Sequence, residues 1–172
     1  MPEWIVNRLE LSGEANVVAG AKADLARPFE MLVTKNWTTG EQERATSAEV
    51  FSYRNIISPF DEGISETEYF AKNTSQDPSD PAIPPGNWLP WNTQHWGVKW
   101  DASGVELVVD KPTELTYRFD SPTAPPVPVI ERLSAKYPGL SIRLIWENER
   151  GKGAELEFSG GVTTKVTAHR RK

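Results

Sequence analysis

No cysteine occurs among the 172 residues. That excludes disulfide staples, thiolate zinc sites and thiol catalysis. Histidine is nearly as scarce: His95 and His169 are the two in the chain. They stand far apart with no carboxylate at ligand spacing, so neither a metal nor a cofactor is expected. No Ser-His-Asp arrangement finds a motif either. Basic charge is short as well, since 19 Lys and Arg face 24 Asp and Glu, for a formal net charge of −5. General affinity for nucleic acid or an anionic membrane needs a basic footprint that this composition lacks. No apolar run approaches the roughly 20 residues that span a bilayer. The opening Met1-Pro2-Glu3-Trp4-Ile5-Val6 has no basic n-region and no apolar core, so it does not read as a signal peptide. The expectation is a protein of the bacterial cytoplasm without membrane contact.

Tryptophan, proline and glycine are plentiful: 7, 14 and 12 residues. With a mean hydropathy of −0.51, they point to one globular domain over residues 1–172 that carries long loops. Four of the tryptophans fall between Asn87 and Asp101.

Periodicity orders the rest of the chain. Trp4 to Leu11 reads as a strand, though its alternation is imperfect, and Ser12-Gly13 stops it. Val17, Val18, Ala21 and Leu25 recur at helical spacing, closed by Arg27-Pro28. Ala48 to Ile57 reads as a second extended segment. Asp61 to Asn92 is a proline-rich excursion inserted in the domain, with a helical turn or two around Ser65 to Lys72. Its Asp77-Pro78-Ser79-Asp80-Pro81 and Pro84-Pro85-Gly86 cannot form one regular element. Val105–Asp110 and Leu115–Asp120 form a hairpin through Lys111-Pro112-Thr113. Val127 to Tyr137 is a helix with Val129, Ile130, Leu133 and Tyr137 on one face. Leu140 to Trp146 and Ala154 to Phe158 pair as strands, and Val162 to Thr167 adds an edge. The basic tail His169 to Lys172 is expected to fray. Strand, helix, strand, excursion, hairpin, helix, hairpin is the order of an α+β, ferredoxin-like two-layer sandwich. An antiparallel or mixed sheet carries both helices on one face, with the long irregular insertion outside it.

Three stretches carry a family resemblance. They are the opening Met1 to Gly13, the core His95-Trp96-Gly97-Val98-Lys99-Trp100-Asp101-Ala102, and a third, discontinuous set. That set comprises Ala124-Pro125-Pro126, Leu133 to Pro138, Ile145-Trp146-Glu147 and Phe158-Ser159-Gly160. Together they resemble the YubB-type ferredoxin-like domain group of bacteriophages and conjugative plasmids. The Trp-Gly-x-Lys-Trp-Asp element is the specific part. Val98 stands where that group has threonine, and Asp120 to Pro125 lacks its aromatic before the prolines. The resemblance leaves Asp61 to Asn87 uncovered. It implies a mobile-element origin and the ferredoxin-like fold, and it implies no activity.

The tryptophan stretch admits two readings. In one, Trp96 and Trp100 plug the sheet, Lys99 is a solvated stem and Asp101 caps the turn into Ala102. In the other, the rings form a docking surface, since tryptophan is enriched at binding hot spots. On that second reading Trp88 and Trp91 are better candidates than Trp96 and Trp100, because a core role is less natural beside the prolines of the excursion. The candidate binding residues are Trp88, Trp91, His95, Trp96, Lys99, Trp100 and Asp101. No calcium loop is read around Asp61, Glu62, Asp77 and Asp80, because the alternating oxygens, central Gly and terminal Glu are absent.

Without a catalytic constellation, the leading expectation is a non-enzymatic accessory protein of a phage or mobile element. It would bind a host or element-encoded protein through the tryptophans. The alternatives are a nucleic-acid-binding sheet using Tyr117, Phe119, Ile145 and Trp146 with the Arg170-Arg171-Lys172 tail, and a small enzyme using Lys99 and Asp101 as acid and base. A homodimer through the edge at Val162 to Thr167 is a further possibility, because unpaired edges invite pairing.

Overall fold

A computed structural model describes residues 2–73 and 75–170. Its framework is a six-stranded sheet in which every neighbouring pair is antiparallel. The strands are β1 (Trp4–Ser12), β4 (Ser103–Lys111), β5 (Glu114–Pro122), β6 (Ser141–Asn148), β7 (Lys152–Ser159) and β8 (Val162–Arg170), in the order β4-β5-β1-β6-β7-β8. Helices α1 (Ala15–Leu25) and α4 (Val127–Lys136) bury Val18, Ala21 and Leu25, and Val129, Ile130 and Leu133, in one core with the inner sheet residues. Omitting β7 and β8, the series β1-α1-β4-β5-α4-β6 with the order β4-β5-β1-β6 is the ferredoxin-like arrangement.

The imperfect alternation of β1 has a cause. Its inward residues are Ile5, Asn7, Leu9 and Leu11, so a polar residue occupies an apolar phase and Val6 points outward at 40% exposure. Asn7 is fully buried and donates to the Ser121 hydroxyl at 2.8 Å and to the Phe119 carbonyl at 3.4 Å. Those bonds offset much of the cost of burying an amide. On β5, Leu115, Tyr117 and Phe119 face the same core. Burying a side chain such as Leu9 or Leu144, both at 0% exposure, contributes about 1.5–3 kcal/mol.

Residues 26–102, between α1 and β4, depart most from the expectation. The segment Ala48 to Ile57 is not a strand. Ser52 caps a short 3₁₀ turn at Tyr53–Asn55, and Phe51 enters the core, stacking on Phe119 at 5.0 Å. The extended structure lies just before it, in a separate two-stranded ribbon of β2 (Phe29–Asn36) and β3 (Glu41–Ser47). Periodicity overlooked this ribbon because β3 is polar but for Ala45 and β2 has no clean alternation. Cross-strand pairing and the Asn36 side chain, which accepts from the Thr38 and Thr39 N–H groups at 2.9 and 3.2 Å, hold it instead. The excursion holds α2 (Glu66–Tyr69), within the helical turns expected there, and ends in a full helix, α3 (Trp88–His95), that periodicity did not indicate.

β8 is an edge strand, with Val162 and Val166 at 56% and 63% exposure. His169 and Arg170 belong to it rather than to a frayed tail. Arg171 and Lys172 lie outside the described residues. Among the described residues no helix is long and apolar enough to cross a membrane.

Candidate functional site

Asn87 starts the site. Its side-chain oxygen accepts from the Leu89 N–H at 3.3 Å, capping α3, and its amide donates to the Ala71 carbonyl at 2.8 Å. One residue thus caps the helix and fastens the proline-rich stretch beneath it. Pro90 is tolerated because it falls in the first helical turn, where backbone N–H groups lack intrahelical partners.

Trp88, Trp91 and His95 recur at spacings of three and four, which aligns them along α3. Trp91 is buried at 2% exposure. It stacks on His95 at 4.4 Å and meets Trp96 edge-on at 5.6 Å. Trp96 is buried at 1% and its indole N–H donates to the Ile57 carbonyl at 3.1 Å. Gly97 follows with φ of +85°, and a Cβ there would stand 2.5 Å from Pro128 Cδ. This left-handed turn after the helix is open to glycine and almost nothing else. Beyond it the chain reverses and presents Trp100 at 41% exposure, 6.1 Å from the Trp4 ring. The expected order is therefore reversed between two of the rings: Trp91 is core and Trp100 faces solvent, while Trp88 is half-buried.

Lys99 and Asp101 are held by different partners. The Lys99 ammonium lies 4.5 Å from the Trp100 ring centroid, a cation–π contact. The Asp101 carboxylate accepts from the Ser52 hydroxyl at 2.5 Å, the Tyr53 N–H at 2.8 Å and the Ala102 N–H at 2.7 Å. Burial pushes the Asp101 pKa above its ordinary value, outweighing those three donors and the Arg54 charge, which pull it down. Asp101 does join the turn into Ala102, and it also ties that turn to residues 52–53.

Trp88, Asn92, Trp96, Trp100, Asp101 and Ala102 form one wall of a cleft of about 690 Å³, which Trp91, His95 and Lys99 do not line. The opposite wall is the inner face of the ribbon, with Phe29, Met31 and Val33 on β2 and Ala45 on β3. Phe51, Tyr69, Phe70, Trp88, Trp96 and Trp100 complete an apolar lining, and Arg54 and Asp101 are its charged groups beside Glu49. Trp37, at the ribbon turn and 87% exposed, also lines it. The volume falls in the range of about 300–1,000 Å³ usual for ligand sites. Trp37, Met31 and Arg54 carry no motif. The legible signal was Trp37 itself, a large ring inside a polar turn sequence.

Among the described residues no group of His, Asp and Glu could hold a metal ion. The outer sheet face does not display Tyr117 or Phe119, which are fully buried against Phe51. Trp146 and Ile145 are both partly exposed, and Trp146 also packs against the core.

Residues 95–169 match a family model described as the ferredoxin-like domain in Api92-like protein. That span includes His95 to Asp101 and the sheet from β4 onward, but not the ribbon, Trp88 or Trp91. No curated protein matches the chain. A crystal structure of the protein api92 from Yersinia pseudotuberculosis is similar in fold, with a TM-score of 0.60 and 12% identity. The similarity covers 100% of this chain and 99% of that one.

Proposed function

We propose that the protein is a non-enzymatic binding module, an accessory protein of a phage or mobile element working in the host cytoplasm. It acts by gripping a segment of a host or element-encoded protein in the aromatic cleft. The single observation that carries this reading is Trp37. A solvated indole at the tip of a two-stranded ribbon costs free energy with no return inside the monomer. Isolated two-stranded ribbons are themselves marginal in water, and an occupant against Met31 and Val33 would supply the second layer this one lacks. Trp100 presents a second accessible ring to the same cleft. Solvent-facing indoles bordering a concave apolar surface are what a protein interface uses as anchors.

The test is selection of a random displayed peptide library on the immobilised protein, run in parallel on Trp37→Ser/Trp100→Ser. The reading expects peptides rich in aliphatic and aromatic residues on the parent and their loss on the double variant. Absence of any enriched peptide on the folded parent, or equal enrichment on both, would overturn it.

A further inference from the structure

Arg54 is the unusual residue of the cleft. It is 9% exposed, yet its Nη1 has no hydrogen-bond acceptor among the described residues. Four rings surround the guanidinium: Tyr69, Phe60, Phe29 and Phe70, at 5.4, 5.5, 5.6 and 5.9 Å from its carbon. Rings stabilise a cation through their faces but accept no in-plane N–H bond. Of the four rings only that of Tyr69 bears a hydroxyl, which donates to the Asn92 side-chain oxygen at 2.6 Å. That hydroxyl is neutral. The carboxylate on the same cleft, Asp101, is engaged by three donors and makes no ion pair with Arg54. A buried guanidinium N–H without an acceptor is costly. Arginine presents a planar fork that fits a carboxylate with two parallel bonds.

We propose that the cleft takes an acidic peptide segment, in which an Asp or Glu carboxylate flanked by apolar side chains pairs with Arg54. This rests on the binding-module reading and names the chemistry of its partner. The apolar flanks lie against Met31, Val33 and Trp100, and the carboxylate enters between them to the guanidinium. Charge complementarity is local here. The chain as a whole is acidic, so long-range attraction does not select this partner, and Arg54, whose Nη1 lacks an acceptor among the described residues, does.

The peptides enriched on the parent protein provide the test. Among them Asp or Glu should recur at a fixed position relative to the aromatic residue. Replacing that residue by its amide, Asn or Gln, should weaken binding to the parent by about tenfold or more. On Arg54→Met, which keeps the volume and removes the fork, acid and amide peptides should bind alike. On Arg54→Lys the difference should be intermediate. The peptide-side change needs no altered protein, so it decides the matter even where Arg54→Met fails to fold. Enriched peptides without a recurrent acid, or acid and amide peptides of equal affinity for the parent, would overturn the acidic partner while leaving the binding module standing. A parent that enriches nothing overturns the module itself.

Discussion

The Ser52 hydroxyl donates to the Asp101 carboxylate at 2.5 Å across a sequence separation of 49. This contact fastens the segment after the ribbon to the turn that follows α3, so both walls of the cleft depend on it. Asp101→Ala removes the acceptor for three donors and should cost about 2–4 kcal/mol in chemical denaturation.

The same carboxylate makes a pH prediction. Its folded pKa is raised by burial above the ordinary 3.8. Its contribution to stability is therefore complete below the unfolded-state value and is lost as pH rises through the folded one. Asp101→Asn cannot titrate. The stability of this variant minus that of the parent should increase as pH rises from 3.8 through the folded pKa, then level off. Parallel stability–pH curves for the two proteins would contradict the assignment.

Trp96 and Trp37 should respond in opposite ways. Trp96→Phe leaves the Ile57 carbonyl without the donor at 3.1 Å and should cost about 1–3 kcal/mol. Trp37→Ala touches a ring that is 87% exposed and should move stability by no more than about 0.5 kcal/mol. Thermal unfolding of both variants checks the contrast.

Acrylamide quenching separates the rings directly. Trp37→Phe and Trp100→Phe should each remove a readily quenched part of the emission. Trp91→Phe should remove a shielded part, because Trp91 is packed between His95 and Trp96.

The ribbon is strapped to α2 by Arg44, whose guanidinium donates to both Glu66 oxygens at 2.9 and 3.1 Å. Arg44→Ala should speed amide hydrogen exchange in β2 and β3 and leave β1 and β5 protected. Unchanged exchange in the ribbon would show that it is held without this pair.

Gly153 lies in β7 where a Cβ would collide with the Trp146 carbonyl of the paired strand and with the His169 ring. Backbone cannot yield as a flexible side chain does, so Gly153→Ala should destabilise by about 1–3 kcal/mol or more. Exchange protection should fall first across β6, β7 and β8.

Local pattern was enough wherever an element is amphipathic and its neighbours follow closely in the chain. Helix α4, with Val129, Ile130 and Leu133 on one face and Pro128 in its first turn, is legible residue by residue. So are the β4–β5 and β6–β7 hairpins and the edge at β8, and with them the ferredoxin-like order. The tryptophan-rich stretch was legible as a place of interest, but the accessibility of its rings was not. Trp91 is core because Tyr69 and Trp96 close on it, and Trp100 is exposed because Gly97 turns the chain past Pro128.

Composition and periodicity dictate the framework: an α+β fold without thiols, built on a strand–helix repeat whose apolar phase repeats every second or every third to fourth residue. Tertiary structure alone decided the cleft. Its ribbon shows no clean alternation, since Leu32 interrupts the Phe29, Met31 and Val33 face and β3 is polar but for Ala45, and it stands on cross-strand hydrogen bonds. Arg54 is caged by Phe29, Phe60, Tyr69 and Phe70, residues that come together only when the segments bearing them pack around its guanidinium. No period in a sequence encodes such a meeting, because it depends on which surfaces remain to be covered after the sheet and its two helices have formed.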